Sequence, residues 1–243
     1  MTLEGHVPDL WHPAREWERG AEDIIDVWRF ELDVQEHDWA ILTPDETRSA
    51  RRIVVAEKGG RKASARANLR RILARYIDTP PEDVSFVYGE HGKPMLAEQD
   101  EPQFNLSDSG TKGLVAVSRG VRIGVDIEHA RGNRSFTGIA DRFFAQSESD
   151  ALRALPSESR PAAFYRAWTR KEAYLKAWGT GLTFASNRFT LDYVGEGPGT
   201  LLTTEMPNDD VSRWHFRDVA LGQDYKGAIC FEGPDRPIRW WTV

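Results

Sequence analysis

Residues 123–128, Ile-Gly-Val-Asp-Ile-Glu, alternate branched apolar side chains with a glycine and two acids, which is the periodicity of a β-strand. Successive strand side chains point to opposite faces, so Asp126 and Glu128 share one face, about 7 Å apart along the chain. Two carboxylates this close repel each other unless they are solvated at a sheet edge or share a cation. The segment therefore requires a fold that leaves one strand face open to solvent or to a cation.

A second segment, residues 168–176, has the spacing of a helix. Trp168, Glu172 and Lys176 follow one another at i, i+4 and i+8 and so line one helix face. Taken alone, Glu172 and Lys176 fit an ordinary surface ion pair, just as the strand carboxylates fit a solvated edge. Together, the three carboxylates and the lysine predict a site that holds a divalent cation against a phosphate, because Mg²⁺ prefers hard oxygen ligands completed by phosphate oxygens.

Composition narrows the class of protein. The chain has 243 residues, 40% of them hydrophobic, which is enough to bury a core. The single cysteine cannot form an internal disulfide, so we expect a reducing cytoplasm. No apolar run approaches the length of a membrane span, and no basic region precedes an apolar one at the N-terminus. The net charge of −6 argues against general nucleic-acid binding, so we expect neither nucleic acid nor membrane as a partner.

Helical and strand patterns alternate along the whole chain, which predicts an α+β fold. Thr43, followed by Pro44 and Glu46, has the form of a helix start, and Gly179 that of a helix end. The longest predicted helices cover residues 61–77 and 160–178. Short strands are predicted for residues 26–34, 84–88, 103–107, 187–194, 213–220, 226–231 and 237–242. Residues 114–128, broken at residues 118–120, are predicted as a hairpin whose second strand carries Asp126 and Glu128.

Basic residues are concentrated between residues 48 and 75. An apolar stripe at helical spacing runs through the same stretch, and most of the arginines fall outside it, as on a solvated helix face. Arg61 and Lys62, at the predicted helix entrance, are better candidates for a phosphate site. The stretch thus combines a core helix with a possible anion contact at its start.

The two segments, Gly-Val-Asp-Ile-Glu and Trp-Thr-Arg-Lys-Glu-Ala-Tyr-Leu-Lys, resemble the two signatures of 4′-phosphopantetheinyl transferases of the Sfp type. The resemblance continues through Gly92-Lys93-Pro94, Phe104-Asn105-Leu106-Ser107, and Arg142-Phe143-Phe144 with Glu148. It implies two similar α/β halves in a pseudo-twofold arrangement, with the active site in the cleft between them. On this basis we divide the chain into an N-terminal extension (1–20), an N-terminal half (21–130) and a C-terminal half (131–243).

The resemblance also implies an activity and a monomeric state. The 4′-phosphopantetheine arm of coenzyme A would pass to a serine of an apo acyl or peptidyl carrier protein of fatty acid, polyketide or nonribosomal peptide synthesis, with Mg²⁺ bound and 3′,5′-ADP released. The implied metal ligands are Asp126, Glu128 and Glu172. The implied catalytic residues are Glu172 as general base, Asp126 and Lys176. The implied coenzyme A contacts are Arg61, Lys62, Lys93, Ser107, Asp108 and Lys176.

This sequence departs from the family pattern at three positions. Asp108 stands where the family usually has histidine, and an ionised aspartate can only accept hydrogen bonds and repels a pyrophosphate. Glu46 and Ser49 stand where some members have lysines, so we expect Arg48 or Arg51 to replace them. Two alternatives therefore stay open: another Mg²⁺-dependent phosphodiester enzyme, such as a nuclease, or a coenzyme A- or carrier-binding homologue that has lost catalysis.

The sequence suggests where a carrier protein would dock. Residues 109–123 include the basic side chains Lys112, Arg119 and Arg122, and residues 131–145 include Phe136. Basic groups attract an acidic partner, and an exposed aromatic side chain supplies contact area. We therefore predict these two segments as the docking surface.

Overall fold

The computed structural model describes residues 11–97, 102–130, 136–181, 184–195 and 197–243. Its α-helices are α1 (Glu36–Ala40), α2 (Pro44–Arg51), α3 (Ala56–Ile77), α4 (Phe136–Phe143), α5 (Gln146–Ala154) and α6 (Arg160–Trp178). Its strands are β1 (Trp11–Pro13), β2 (Ile25–Glu31), β3 (Phe86–Tyr88), β4 (Pro94–Leu96), β5 (Gln103–Ser109), β6 (Lys112–Ser118), β7 (Ile123–His129), β8 (Phe189–Asp192), β9 (Thr200–Thr204), β10 (Trp214–Val219), β11 (Tyr225–Glu232) and β12 (Ile238–Thr242). The predicted α+β class is confirmed.

Two sheets repeat one topology. In the larger sheet, of order β1-β12-β2-β6-β5, strand β2 leads into α3, and the hairpin β5–β6 then returns β6 beside β2. In the smaller sheet, of order β10-β11-β7, strand β7 leads into α6, and the hairpin β10–β11 returns β11 beside β7. A separate two-stranded hairpin, β3–β4 or β8–β9, follows the long helix in each case. The chain therefore contains two halves of similar topology, although its sequence has no visible repeat.

The sheets exchange strands across the predicted boundary at residues 130 and 131. Strand β7, before that boundary, pairs with β11, with Asp126 opposite Ala228. Strand β12, near the end of the chain, pairs in parallel with β2, with Trp240 opposite Val27. Residues 11–13, predicted as part of an extension, form an edge strand beside β12. The predicted domain division remains untested, and residues 1–10 and 131–133 lie outside the described part of the chain.

Strand β7 packs directly on helix α6. A Cβ atom at Gly124 would lie 2.0 Å from the Ala173 carbonyl oxygen and 2.4 Å from the Ala177 amide nitrogen. Only glycine permits this approach, because any larger side chain would overlap the helix backbone. The contact places Asp126 and Glu128, two and four residues along the same face, against α6 as well.

Both predicted helix signals are confirmed. Thr43 forms a capping box with Glu46 at the start of α2, where each side chain accepts a hydrogen bond from the other residue's main-chain N–H. Helix α6 ends at Gly179, which has a φ of 78°. Among the described residues, no helix has the length and apolar character needed to cross a membrane.

Candidate active site

Side chains, rather than a main-chain ladder, join the two sheets where β5 lies beside β7. Each of three polar side chains of β5 accepts a hydrogen bond from a main-chain N–H of β7: Asn105 from Val125 at 2.8 Å, Ser107 from Ile127 at 3.3 Å and Ser109 from His129 at 3.0 Å. Because strand side chains alternate, Leu106 and Asp108 point away from this seam. The Asn-Leu-Ser-Asp-Ser motif thus fastens one half of the fold to the other.

The same serines hold the two strand carboxylates. The Ser107 hydroxyl donates to Asp126 Oδ1 at 2.9 Å, and the Ser109 hydroxyl donates to Glu128 Oε2 at 3.2 Å. Lys176, from α6, donates to both Ser107 Oγ at 2.8 Å and Asp126 Oδ1 at 2.6 Å. The structure therefore brings Ser107, Asp126 and Lys176 together, as the sequence analysis placed them at one site.

Glu172 supplies a third carboxylate, one helical turn before Lys176. The pKa of Glu172 is raised to about 7, first by burial and then by the charges of Asp126 and Glu128, while Lys176 opposes the shift. These interactions place the three carboxylates within electrostatic reach of one another. Asp126 Oδ2 is buried and has no hydrogen-bond partner among the described residues.

This donor set fits a divalent cation in its chemistry. Carboxylate oxygens are the ligands that Mg²⁺ prefers, and a buried carboxylate oxygen without a partner is a natural position for one. Within the described ranges, however, no group of three or more His, Cys, Asp or Glu side chains is close enough to hold a metal ion as it stands. The metal site at Asp126, Glu128 and Glu172 remains a prediction.

A large cavity opens beside the seam, between α2, α3 and the end of β5. Its volume is about 800 Å³. Three predicted coenzyme A contacts line it: Arg61, Lys62 and Asp108. Sequence reasoning missed three further lining residues, Lys58, Arg66 and Tyr88. The signal for Lys58 and Arg66 was present in the basic stretch, because residues 58, 62 and 66 are spaced i, i+4 and i+8 and share one face of α3, whereas Tyr88 gave none.

Comparisons with known proteins agree with this geometry. The model of the 4′-phosphopantetheinyl transferase superfamily matches residues 122–230, which hold the strand carboxylates and the whole of α6. The 4′-phosphopantetheinyl transferase HetI of Nostoc sp. is 38% identical over 167 residues, 66% of this chain and 70% of that protein. The chain belongs to the 4′-phosphopantetheinyl transferase superfamily. It is therefore a transferase enzyme of this type.

A more distant relative covers more of the chain. The 4′-phosphopantetheinyl transferase Sfp of Bacillus subtilis is 27% identical over 198 residues, 82% of this chain and 85% of that protein. A solved holo-[acyl-carrier-protein] synthase of Thermotoga maritima matches 46% of this chain and 63% of its own, at 18% identity. Its TM-score of 0.37 is too low to bear on the fold. The likeness to the Sfp type is thus carried by sequence.

The positions at which this transferase departs from the family pattern have structural roles. Glu46 caps α2 and forms ion pairs with Arg66 and Arg70. A lysine there would lose these contacts and repel the two arginines. The expected replacements do not face the cavity: Arg48 pairs with Asp45 at 2.5 Å, and the Arg51 guanidinium lies over the Trp39 ring. Lys62 instead donates to Ser49 Oγ at 2.8 Å, so these two residues share the cavity wall.

Asp108 faces the cavity, on the side of β5 opposite the seam. Desolvation raises the pKa of its carboxyl group; Lys176 opposes this shift, Asp126 adds to it, and Lys62 opposes it more weakly. The transferase therefore places a carboxyl group of reduced acidity where its family usually has histidine. The raised pKa means that this carboxyl group loses its charge, and its repulsion toward an anionic ligand, at a higher pH than an ordinary aspartate does.

Lys93 lies at the end of α6 rather than free in the cavity. Its ammonium donates to three main-chain carbonyls, those of Ile123 at 3.1 Å, Lys176 at 2.6 Å and Ala177 at 3.2 Å. These bonds tie the loop before β4 to both β7 and the C-terminal turn of α6. They engage all three of its N–H donors, so its predicted phosphate contact remains untested and has no geometric support. The Ser107 hydroxyl is likewise fully engaged within the seam.

Two further residues of the helix motif pack in the core. Trp168 lies against the rings of Phe143, Phe144 and Phe164. Lys171 is buried and donates to both oxygens of Glu148, at 2.9 and 2.7 Å. A buried ion pair of this kind links α5 to α6. The sequence showed both residues but not their contact.

The predicted docking segments do not form one surface. Lys112 and Arg119 lie at opposite ends of β6, and Lys112 is paired with Glu31. Phe136, expected to be exposed, packs against the rings of Phe164 and Tyr165. Residues 131–135 lie outside the described ranges. The predicted docking surface remains untested.

Proposed function

We propose that this transferase moves the 4′-phosphopantetheine arm of coenzyme A to a serine hydroxyl of an apo acyl or peptidyl carrier protein. One observation carries the proposal: a cavity of about 800 Å³ with a basic wall opens beside a seam that holds three carboxylates and a lysine. The cavity suits a nucleotide with several phosphates, and the seam suits the reacting pyrophosphate.

The donor would bind along α3. Lys58, Arg61 and Lys62 lie in its first two turns and line the cavity. Lysine and arginine are the usual contacts of phosphate groups, lysine as a point charge and arginine as a bidentate donor. We assign them to the phosphates of coenzyme A, and we place Lys58 and Lys62 where other members have lysines on α2.

Asp126, Glu128 and Glu172 would hold Mg²⁺ in the proposed site. When bound there, the cation supplies charge neutralisation at the pyrophosphate and so favours departure of 3′,5′-ADP. The buried, unpartnered Asp126 Oδ2 supports this assignment.

The chemistry forms one bond and breaks one. The serine oxygen attacks the β-phosphorus, and the bond from that phosphorus to the bridging oxygen breaks, so that 3′,5′-ADP carries away the electron pair. Glu172 would take the serine proton, because it adjoins the two strand carboxylates where the hydroxyl has to react. Lys176 would move its ammonium from Asp126 toward the transferring phosphate and stabilise charge there.

A catalytically lapsed coenzyme A-binding homologue is the second candidate. Asp108 favours it, because a carboxyl group in the donor cavity weakens anion binding. Asp126, Glu128, Glu172 and Lys176 all remain in place, and this supports an active enzyme. The nuclease alternative has no observation of its own and conflicts with membership of the family.

We also propose that the transferase is a monomer in the cytoplasm. Two halves of matching topology already lie within one chain and form the seam without a second copy. Sedimentation velocity tests the oligomeric state, and a stable trimer at micromolar concentration would contradict it. Locating a tagged copy of the chain in intact cells tests the cytoplasmic localisation.

Intact-protein mass spectrometry tests the activity. An apo carrier protein is incubated with coenzyme A, Mg²⁺ and the transferase, and its mass is expected to rise by one phosphopantetheine arm. Asp126→Ala and EDTA should abolish the gain, whereas Glu205→Gln, an exposed residue paired with Arg188, should not. No gain across several carriers, with coenzyme A still bound in calorimetry, would support the lapsed homologue. Cleavage of DNA or RNA in Mg²⁺ would overturn the proposal.

A further inference from the structure

A second, smaller cavity lies against the first half of α6, beside the strand that pairs with β7. Its volume is about 290 Å³, and its walls are the first half of α6 and the hairpin β10–β11. Arg166 and Thr169 line it from the helix, and residues 218–222 and 225–227 line it from the hairpin. None of these residues has a role in the proposed donor site.

Strand register places this cavity next to the site. Lys226 of β11 lies directly opposite Glu128 of β7, so their side chains share the face that packs toward α6. On the helix, Thr169 lies about one turn before Glu172, and Lys176 lies about one turn after it. The donor cavity begins at Asp108, which is close enough to Lys176 for their charges to interact. Along α6, Glu172 thus lies between Thr169, which lines the smaller cavity, and Lys176, which is near the larger one.

Phosphoryl transfer requires this kind of arrangement. The attacking oxygen and the leaving oxygen lie roughly in line on opposite sides of the phosphorus. If the leaving nucleotide occupies the larger cavity, the attacking hydroxyl has to approach from the opposite side of the carboxylates. The smaller cavity provides an opening beside the carboxylates, one helical turn before Glu172.

One cation in this cavity is available to a partner. Arg166 lies 3.7 Å from Asp218 and donates to the carbonyls of Tyr193 and Gly195. Asp218 is in turn bound by Arg170. The half-buried Lys226 side chain has no hydrogen bond or ion pair to any residue that the structure describes. An ammonium group in this position is complementary to a carboxylate from outside the chain.

We propose that the smaller cavity admits the serine-bearing segment of the carrier protein, and that Lys226 binds a carboxylate of that segment close to the serine. This inference rests on the proposed function. Lys226 would then set the affinity for the protein substrate without contributing to binding of coenzyme A. Its position beside Glu128 lets one contact orient the hydroxyl toward Glu172.

Steady-state kinetics with each substrate varied in turn provide the test. Lys226→Gln is expected to raise KM for the carrier about fivefold, and Lys226→Glu about tenfold or more, with KM for coenzyme A unchanged. Lys62→Gln should do the opposite and raise KM for coenzyme A alone. Arg188→Gln, which removes an exposed positive charge elsewhere, controls for net charge and should change neither constant. Circular dichroism melting of each variant shows that it is folded.

Charge reversal on the partner completes the test. Each acidic residue near the acceptor serine of the carrier is changed singly to lysine. When the Lys226→Glu enzyme is assayed with these carrier variants, one of them should restore the wild-type KM for the carrier. An unchanged carrier KM in both Lys226 variants of an active enzyme would overturn the inference and leave the proposed function intact. An equal rise of both KM values without rescue would also overturn it. A wild-type chain that transfers nothing would refute both.

Discussion

The Lys176 ammonium lies 2.6 Å from Asp126 Oδ1, and the other oxygen of that carboxylate is buried without a partner among the described residues. The lysine supplies the positive charge that two neighbouring strand carboxylates require. In the proposed site a divalent cation would supply that charge instead. In that case Lys176 and the metal would compete electrostatically for Asp126, and Lys176 would become free to meet the phosphate.

Lys176→Gln should separate metal binding from catalysis. Without the competing ammonium, we expect the free protein to bind Mg²⁺ about fivefold more tightly, as isothermal titration calorimetry measures it. Transfer, followed by mass spectrometry of the carrier, should fall about a hundredfold because a charge is lost at the phosphate.

Whether Lys176→Gln binds Mg²⁺ more tightly or more weakly decides whether Lys176 competes with the metal. A lysine that only supports the fold would leave metal affinity unchanged or weaken it in the variant. Glu205→Gln is the control, because it removes an exposed ion pair with Arg188 and should alter neither measurement. Weaker Mg²⁺ binding by the glutamine variant would refute the competition.

Gly124→Ala should destabilise the fold at the contact between β7 and α6. The added Cβ would lie 2.0 Å from the Ala173 oxygen, so strand and helix must move apart. Overpacking of this kind costs about 1–3 kcal/mol or more. Urea unfolding should show the loss, and transfer should fall with it because Asp126 and Glu172 separate.

Gly197→Ala is the matched control for Gly124. A Cβ at Gly197 would meet nothing within 4 Å, so its unfolding midpoint should stay close to that of the wild type. Equal stability of the two alanine variants would mean that the close strand–helix contact is not needed.

The sequence predicted those parts of the site that depend on local periodicity. Strand alternation predicted that Asp126 and Glu128 lie on one face of β7, and helical spacing predicted that Glu172 and Lys176 lie on one face of α6. Both are rules of local geometry, so they need no knowledge of the rest of the fold. The helix start at Thr43 and the helix end at Gly179 were predictable for the same reason.

Contacts between distant segments were not predictable in this way. Lys93 looked like a loop lysine available to phosphate, but it binds carbonyls that lie 30 and more positions later in the chain. Ser107 looked like a phosphate contact, but β7 lies against β5 and engages its hydroxyl. These roles depend on which strands become neighbours, and side-chain type does not determine that.

Asp108→Asn should strengthen coenzyme A binding. Removing the carboxylate from the donor cavity takes away a repulsion, so we expect KM for coenzyme A to fall about threefold at pH 8. Asp108→His should likewise keep or raise activity.

Because desolvation raises the pKa of Asp108, the wild-type carboxyl becomes neutral as the pH falls through that raised value. The difference between wild type and Asp108→Asn should therefore shrink on acidification.

Asp45→Asn provides the comparison for Asp108. Asp45 lines the same cavity but is paired with Arg48, so its loss should change KM for coenzyme A less than the loss of Asp108 does. A rise of KM in Asp108→Asn would show that Asp108 contributes to donor binding, against this prediction.

Lys93→Met should lower stability and leave KM for coenzyme A unchanged. The variant loses three hydrogen bonds from a charged donor to buried carbonyls, and such bonds contribute about 1.5–3 kcal/mol each to the stability of a fold when well desolvated. Burial, and after it the charge of Arg122, lower the pKa of Lys93 from 10.5 to about 8. Between those two values the unfolded chain keeps a proton that the folded chain has lost, so the contribution of Lys93 to stability rises with pH.

Urea unfolding of the wild type and of Lys93→Met at pH 7 and pH 9.5 measures the difference in their free energy of unfolding. This difference should grow at the higher pH. Unchanged stability with a raised KM for coenzyme A would instead establish Lys93 as a phosphate contact.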